Sequence, residues 1–297
     1  MLKYIKKRKQ DAIRASKYDI VFIFRDALPT GSIKFEKKFK LSGAKLIYDF
    51  DDAIFILNMS EGNKALSFLK RPEKTGEIIG LCDLVIAGNH YLAEYAGAFN
   101  NNVKIIPTTI NTEEYKREHI ENSSICIGWS GSVTTIQHFK FALPFLEKIR
   151  TKFGDKVHFK VIGDGNYVND RLNIEGVSWV KKTEISDLSE FDIGIMPLPN
   201  DEWAKGKCGL KGLQYMALEI PTIMSPVGVN SEIIEDGKNG YIANDVEEWV
   251  EKIAMLIEDS DLRIRMGKEA RKTVVEKYSV SANQDLYLRY FKEVLAD

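Results

Sequence analysis

The residues best suited to binding a phosphate stand together just after position 204. Three lysines alternate with three glycines there: Lys205, Gly206, Lys207, Gly209, Lys211 and Gly212. An apolar run spaced at three to four residues follows directly and predicts a helix with one buried face. Glycine-rich backbone brings N–H groups close to an anion, the helix start adds partial positive charge, and a lysine adds a full charge. This combination predicts a site for a phosphate or a diphosphate.

The residues after this helix predict a strand and two turns. Pro221 ends the helix, and 222–225 (TIMS) is typical of a short buried strand. Glu232 falls in the first turn of the next short helix, and the cluster at 236–240 (DGKNG) is a turn by its residue chemistry. The stretch 205–240 therefore combines turn, helix, strand and turn around one predicted anion site.

A second candidate phosphate turn follows the strand predicted at 125–129 (ICIGW). Gly131 and Ser132 lie between this strand and a helix predicted to begin near 134. The carboxyl edge of a parallel sheet is where ligand crevices form, and the positive end of a helix there favours an anion. We therefore expect this turn and the lysine-rich loop to face the same diphosphate.

Strands and helices alternate through both halves of the chain. In the first half, buried strands are predicted at 19–24, 44–49, 83–87 and 103–107; in the second, at 125–129, 157–164, 192–197 and 222–225. This alternation indicates an α/β fold with doubly wound parallel sheets. A polar, charged segment at 116–124 marks the boundary between two domains.

Three segments of the second half resemble the family 4 glycosyltransferases of the GT-B fold. In order, they are DIGIMPLPNDEWAKGKCGLKG, LQYMALEIPTIMSPVGVNSEIIEDGKNGY and LRIRMGKEARKTVVEKYS. The resemblance implies two Rossmann-like domains facing a cleft. It also implies transfer of a sugar, with retention at the anomeric carbon, from a UDP- or GDP-linked donor to a glycan or lipid-linked acceptor, in the setting of cell-envelope polysaccharide biosynthesis. No cofactor and no protein-bound metal are expected.

The resemblance also sets the expected domain limits. The acceptor-side domain is predicted at 1–117, the nucleotide-sugar-binding domain at 118–278, and a terminal helix crossing back to the first domain at 279–297. Family members open with a further strand and a glycine-rich loop, so the first domain is predicted to be a shortened one.

The donor-side residues follow from the resemblance and from the anion chemistry. Lys207 and Lys211 are predicted to hold the diphosphate and stabilise the leaving group, and Gln214 to bind the ribose. Many relatives carry two glutamates eight positions apart here, where this chain has Gly206 and Gln214. The full predicted donor set is Gly131, Ser132, Lys207, Gly209, Lys211, Gln214 and Glu232.

An acidic motif, Asp49-Phe50-Asp51-Asp52, follows the second predicted strand. We interpret Asp51 as a catalytic or sugar-binding carboxylate at the cleft position where many relatives have a histidine. A metal site of the Asp-x-Asp kind and a simple loop-bonding role are the alternatives. The full predicted acceptor-side set is Arg25, Asp49, Asp51 and Asn89, and Asn89 is also predicted to cap a helix.

Composition excludes several classes of protein. The 297 residues carry 42 basic and 43 acidic side chains, which give no indication of nucleic-acid binding. Three scattered cysteines match no metal-ligand spacing and fit a reducing compartment. No apolar run approaches a membrane span, and the basic start lacks the apolar core of a secretory signal, so a cytoplasmic protein is expected.

The basic segment 1–17 has two interpretations. It predicts a helix with a thin apolar stripe, packed on its own sheet with its charges in solvent. The alternative is peripheral contact with the anionic inner surface of the membrane, which would suit a lipid-linked acceptor.

Three other functions compete with sugar transfer. A non-catalytic GT-B relative, binding a nucleotide or a partner subunit, is favoured by Gly206, by Gln214 and by the shortened first domain. A sugar-nucleotide epimerase can share the fold but normally places carboxylates and histidines in the cleft. A dinucleotide-binding module is disfavoured, because no acidic residue follows a complete GxGxxG at the usual interval.

Overall fold

The computed structural model describes residues 2–57, 71–118, 120 and 123–296. The chain divides into two compact α/β units. Unit 1 comprises 1–108, 201–208 and 284–297, and unit 2 comprises 109–200 and 209–283. The predicted second domain contains the segment 201–208, whereas the structure groups this segment with unit 1.

Unit 1 is built on a sheet of four parallel strands in the order β1-β2-β3-β4. Its strands are β1 (Ile20–Phe24), β2 (Lys45–Phe50), β3 (Leu84–Ala87) and β4 (Val103–Ile105). Its helices are α1 (Leu2–Arg14), α2 (Lys34–Lys40), α3 (Lys74–Leu81), α4 (His90–Gly97), α7 (Glu202–Lys205) and the later part of α12 (Val280–Ala296). This pattern confirms the parallel sheet predicted from the alternation of elements.

The core of unit 1 lies on both faces of β2 and β3, whose aliphatic residues are almost completely buried. Strands covered on both faces read as continuous apolar runs, which is why LVIA and KLIY are recognisable in the sequence. Asn89 begins α4 as predicted, because its Oδ1 accepts a hydrogen bond from the Leu92 amide at 2.8 Å.

The predicted basic N-terminal helix is present as α1, followed by a 3-10 turn at Ala15–Lys17. Its apolar residues Ile5 and Ala12 pack on the unit 1 core, and its lysines remain exposed. In the part of the chain that the structure describes, no helix is both long enough and apolar enough to cross a bilayer.

Unit 2 is built on a seven-stranded sheet in the order β11-β10-β9-β5-β6-β8-β7. All neighbouring strands are parallel except the short edge pair β7 and β8. The strands are β5 (Ile125–Ser130), β6 (Val157–Gly163), β7 (Val168–Asn169), β8 (Ile174–Ser178), β9 (Ile193–Met196), β10 (Thr222–Met224) and β11 (Tyr241–Ile242).

The helices of unit 2 cover both faces of this sheet, over two separate apolar clusters. They are α5 (Leu143–Phe153), α6 (Glu184–Ser189), α8 (Leu210–Ala217), α9 (Asn230–Ile233), α10 (Val246–Glu258) and α11 (Ser260–Thr273). Because β5 is first in sequence and lies between β6 and β9, the winding direction reverses at β5. Ligands of open parallel sheets bind outside the carboxyl ends of the strands at such a reversal.

Arg271 on α11 fixes the beginning of unit 2. Its guanidinium donates to the backbone carbonyls of Thr112, Tyr115 and Ala217. The planar fork of arginine makes several such bonds at once, which a lysine cannot do. Arg271 therefore ties the first turn of the unit to the end of α8.

We expect Arg271→Ala to lower the free energy of unfolding by about 2–4 kcal/mol, because partly buried carbonyls lose their donor. Chemical denaturation measures this change. The control is Arg265→Ala on the same helix: Arg265 is exposed, and its loss should cost less than about 0.5 kcal/mol. Equal losses in the two variants would contradict the assigned role of Arg271.

Candidate functional site

The Gly131-Ser132 turn of unit 2 follows β5 at the point where the winding direction reverses. The amide of Gly131 donates to the Ile162 carbonyl at 2.9 Å, and that of Ser132 donates to Oγ1 of Thr135 at 2.8 Å. Gly163 packs against this turn. Its backbone φ is 140°, and a Cβ at this position would lie 2.9 Å from the Gly131 carbonyl. The two strand ends thus pack backbone against backbone. Ser132 is exposed on the turn, where its hydroxyl is hydrogen-bonded to that of Thr134 at 2.9 Å.

The helix α8 begins at Gly209, whose φ of 72° is left-handed. Such a φ strains most side chains, and a Cβ here would also meet Ile233 at 2.3 Å, so the position requires glycine. Lys211 is half-buried in the first turn of α8. Burial lowers the pKa of Lys211 below its usual value, although Glu184 acts in the opposite direction. No carboxylate of the described residues forms an ion pair with Lys211, so its charge is available to a ligand.

Gln214 lies one turn after Lys211 and is buried in a polar cluster. Its Nε2 donates to Tyr115 Oη at 2.7 Å and to Glu184 Oε1 at 3.1 Å. Its Oε1 is buried without a hydrogen-bond partner among the described residues. A buried acceptor without a donor is costly, and a hydroxyl of a bound ligand is one way to satisfy it.

Glu184, the first residue of α6, is the centre of this cluster. Burial alone would raise its pKa, but hydrogen bonds from Trp179, Tyr115, Lys181 and Gln214 outweigh burial, so the pKa of Glu184 lies below its usual value. The carboxylate is therefore charged at neutral pH. It holds Gln214 in place and lies close enough to Lys211 to favour the lysine's protonated form.

Glu232 belongs to the short helix α9 of unit 2 and is exposed. It acts on Tyr278, whose pKa is raised first by burial and then by the charge of Glu232. The residues predicted for the donor therefore divide between the units. Gly131, Ser132, Gly209, Lys211, Gln214 and Glu232 lie in unit 2, and Lys207 lies in unit 1.

In unit 1, Lys207 belongs to a series of ion pairs in which cationic and acidic side chains alternate. Its Nζ donates to Asp52 Oδ1 at 2.9 Å and lies 3.5 Å from the centre of the Trp203 ring. Arg25 lies 3.6 Å from the other oxygen of Asp52 and donates twice to Asp51, at 2.9 and 2.7 Å. Both carboxylates of the Asp51-Asp52 pair thus have a cationic partner.

The backbone of Arg25 adopts φ 61°, which is uncommon for a residue with a side chain. Such strain costs about 1–3 kcal/mol and persists where surrounding structure imposes it. Here the Arg25 amide donates to the Asp49 carbonyl at 2.8 Å, and the Arg25 guanidinium donates to the Asp51 carboxylate. Although burial lowers the pKa of Arg25, the adjacent Asp51 carboxylate outweighs it and raises the pKa above its usual value.

Asn89 links this acidic motif to the segment 201–208. While Oδ1 caps α4, the Nδ2 group donates to the carbonyls of Lys205 and Lys207, each at 3.2 Å. Gly206 lies between them, and a Cβ there would be 2.5 Å from Cβ of Ala53. The amide of Asn89 therefore positions the lysine-rich segment, a role that the sequence did not indicate.

Asp49, at the end of β2, is the most perturbed carboxyl group near this motif. Burial, and then the charge of Asp51, raise its pKa to about 7, against the opposing effect of Arg25. Tyr287 of α12 shares this environment, since its pKa is raised to about 12 by burial and then by Asp49 and Asp51. Asp49 therefore changes its protonation state close to neutral pH.

This shift predicts how stability depends on pH. Since the unfolded chain gives Asp49 a pKa of about 3.9, the folded state binds the proton more tightly, and stability falls as pH rises from about 4 through about 7. We expect Asp49→Asn to remove this slope and to gain about 1–3 kcal/mol at pH 8 relative to the original chain. Chemical unfolding at pH 5 and pH 8 measures the free energy of unfolding of both proteins. Asp19→Asn, at an exposed position of the same unit, is the control, and an unchanged slope in Asp49→Asn would contradict the assignment.

Among residues 2–57, 71–118, 120 and 123–296, no three histidine, cysteine, aspartate or glutamate side chains are grouped to hold a metal ion. Asp49 and Asp51, the pair considered for a metal, instead lie beside Arg25. The metal interpretation of this motif therefore finds no further ligands in the described chain.

The sequence did not identify Glu184, Tyr115, Asp52 or Trp203 as parts of these clusters. One available signal was position: Glu184 follows β8 and Asp52 follows β2, and polar residues after strands gather at one sheet edge. The pairings themselves join residues up to 155 positions apart, so no local pattern could reveal them.

Residues 124–259 match the family model described as glycosyl transferases group 1. The match covers a little under half of the chain. The matched segment contains the Gly131-Ser132 turn, Glu184, Lys211 and Gln214, and it begins with β5, which agrees with the start of the second sheet.

Two curated relatives match shorter segments. Spore coat protein SA of Bacillus subtilis is 45% identical over 62 residues, which are 20% of this chain and 16% of that protein. Poly(ribitol-phosphate) alpha-N-acetylglucosaminyltransferase of Staphylococcus aureus is 29% identical over 86 residues, or 28% of this chain and 17% of that enzyme. The matched segments thus span less than a fifth of either relative.

A solved structure covers nearly the whole chain. Alr3699/HepE of Anabaena, in complex with UDP and glucose, superposes with a TM-score of 0.69 at 14% identity, covering 96% of this chain and 81% of that one. At this identity the likeness shows the fold, and it confirms the predicted GT-B class.

Proposed function

We propose that the chain is a glycosyltransferase, which transfers a sugar from a nucleoside-diphosphate donor to a glycan or lipid-linked acceptor in the cytoplasm. One observation carries the proposal. Lys211 and Gln214 lie one turn apart on α8, within the segment that matches the group 1 glycosyltransferase model, and each has unused binding capacity: an unpaired ammonium and an unpaired buried amide oxygen.

The chemistry of these groups fits a nucleoside diphosphate. The Lys211 ammonium, on a helix that begins at Gly209, would neutralise charge that develops on the departing diphosphate. The amide oxygen of Gln214 would accept a hydrogen bond from a ribose hydroxyl. The Ser132 hydroxyl and the Glu232 carboxylate would complete the donor contacts. The reaction would retain anomeric configuration and would need no protein-bound metal.

The acceptor side would use the ion-paired side chains of unit 1, which are Arg25, Asp51, Asp52 and Lys207. In this proposal Asp51, oriented by Arg25, hydrogen-bonds a sugar hydroxyl or assists proton transfer, and Asp49 lies next to it with a pKa near neutral. Lys207 would contribute through Asp52, its observed partner, or by releasing Asp52 to reach the diphosphate. UDP is favoured as the carrier, since the superposed Anabaena structure contains UDP and glucose.

A thermal-shift and calorimetric screen of the full chain against UDP, GDP, ADP, CMP and NAD tests the donor site. A ligand that binds only the native state raises the apparent stability by mass action. We expect one nucleoside diphosphate to stabilise the chain and NAD to leave it unchanged. Stabilisation by NAD alone, or by none of the five, would overturn the proposal.

A non-catalytic binding protein is the second candidate, and one observation favours it. At position 206, where the family resemblance leads one to expect a glutamate, the backbone packs against Ala53 so closely that not even a Cβ fits. A relative that binds the nucleotide without transferring sugar would pass the screen but fail to consume a nucleotide sugar.

A further inference from the structure

An open groove of about 420 Å³ lies between α1 and α2 on the surface of unit 1. It is lined by two lysines, two serines and two large aliphatic residues: Lys9, Lys38, Ser16, Ser42, Ile13 and Leu41. None of these residues belongs to the proposed sugar-transfer site. The groove is therefore a surface feature separate from that site.

The aliphatic rim of this groove is unusually exposed. Leu41 is 85% exposed and Ile13 is 77% exposed, the two highest values among large apolar side chains in the described chain. Each loses the roughly 1.5–3 kcal/mol that burial of such a side chain would contribute. Single exposed aliphatic residues are common, but two beside one groove mark a surface that an apolar partner would cover.

The lysines of the groove are free, and the surrounding helices are strongly basic. Within the described residues neither Lys9 nor Lys38 has an ion-pair partner. Residues 1–17 carry seven basic side chains against Asp11, and α2 carries four against Glu36. Both acids are already used, since Asp11 pairs with Arg8 at 2.8 Å and Glu36 is buried, accepting from the Ala27 amide.

This charge is concentrated locally, because the whole chain has a formal charge of −1. A second copy of the chain would present the same positive charge to this face and be repelled. A nucleic acid would satisfy the lysines but offers no apolar layer for Ile13 and Leu41. A surface with anionic groups above hydrocarbon satisfies both sets of side chains.

We propose that this face of unit 1 docks on an anionic phospholipid bilayer. A lipid phosphate occupies the groove, where Lys9 and Lys38 neutralise it and the hydroxyls of Ser16 and Ser42 border it. Ile13 and Leu41 enter the boundary between headgroups and acyl chains. The proposal concerns binding alone and does not depend on the transfer reaction.

Sedimentation of the full chain with vesicles tests this inference. We expect binding to vesicles of phosphatidylcholine mixed with phosphatidylglycerol, little binding to phosphatidylcholine alone, and loss of binding as salt shortens the Debye length to about 3 Å. Each lysine near the membrane surface should raise the partition coefficient about fivefold. The double variant Lys9→Gln with Lys38→Gln should therefore lower the partition coefficient about 25-fold. Ile13→Asn with Leu41→Asn should lower it at least about tenfold and retain the salt dependence.

The matched controls lie on α11, which is also basic. Ile264 is 55% exposed and Lys268 is exposed, so Ile264→Asn and Lys268→Gln should leave vesicle binding unchanged. All the substituted positions are exposed, and thermal melts verify that each variant is folded. Three results would overturn the inference: no preference for anionic vesicles, equal losses in control and groove variants, or tighter binding to a DNA or RNA duplex than to the vesicles at the same salt.

Discussion

Lys211→Met weakens binding of the nucleoside diphosphate about 10- to 100-fold, because a charge-assisted contact to phosphate is lost from a half-buried position. The substitution keeps most of the volume and removes the charge, so it isolates the electrostatic contribution. The lysine gives up no ion pair within the described chain, and the fold should therefore be kept. Titration calorimetry with the nucleotide identified by the screen measures the change.

Lys238→Met is the matched control for this result. Lys238 is exposed on the turn after α9 and pairs with Glu235, within the same unit as Lys211. Its loss should change the dissociation constant less than about twofold, as expected for an exposed ion pair. If Lys211→Met binds the nucleotide as tightly as the original chain, the diphosphate does not lie at the start of α8.

Gly206→Ala lowers the free energy of unfolding by about 1–3 kcal/mol or more, the range found when a packed site is overfilled. The φ of Gly206 is −76°, which any residue adopts, so the loss is steric. A Cβ would lie 2.5 Å from Cβ and 2.8 Å from the amide nitrogen of Ala53. Gly206→Glu, which places a larger side chain at the same position, should therefore destabilise unit 1 further and not improve donor binding.

Gly97→Ala serves as the control, because a Cβ at Gly97 meets no atom within 4 Å. Gly97 is the last residue of α4, and alanine there should be neutral or stabilising by up to about 1 kcal/mol. Chemical unfolding compares the two variants. A Gly206→Ala protein as stable as the original would show that the segment 201–208 does not pack on Ala53 as described.

Much of the fold was predictable because its signals are local. Buried parallel strands are short apolar runs, and both sheets were recognised from them. The cap at Asn89 was predicted from one residue type at a strand-to-helix junction, and the Leu92 contact confirms it. Gly209 was assigned to a turn before α8, and its left-handed φ explains why glycine stands there.

The clusters around the candidate site were not predictable in the same way. Lys207 and Lys211 are four residues apart, so a common diphosphate was the natural interpretation. The structure assigns them to different units, and Lys207 pairs with Asp52, far away in the sequence. Glu184 similarly meets Gln214 and Tyr115 only through the folding of unit 2. Such pairings depend on tertiary contacts, which carry no periodic signal.

Consumption of a nucleotide sugar tests the central claim most directly. The full chain is incubated with sugar conjugates of the nucleoside diphosphate that binds. NMR of the anomeric proton follows the donor, and water serves as the acceptor when no other acceptor is supplied. We predict release of free nucleoside diphosphate above the rate in buffer, and loss of this release in Lys211→Met. A chain that binds the nucleoside diphosphate but leaves every donor intact at stoichiometric concentration would contradict the assignment as a glycosyltransferase.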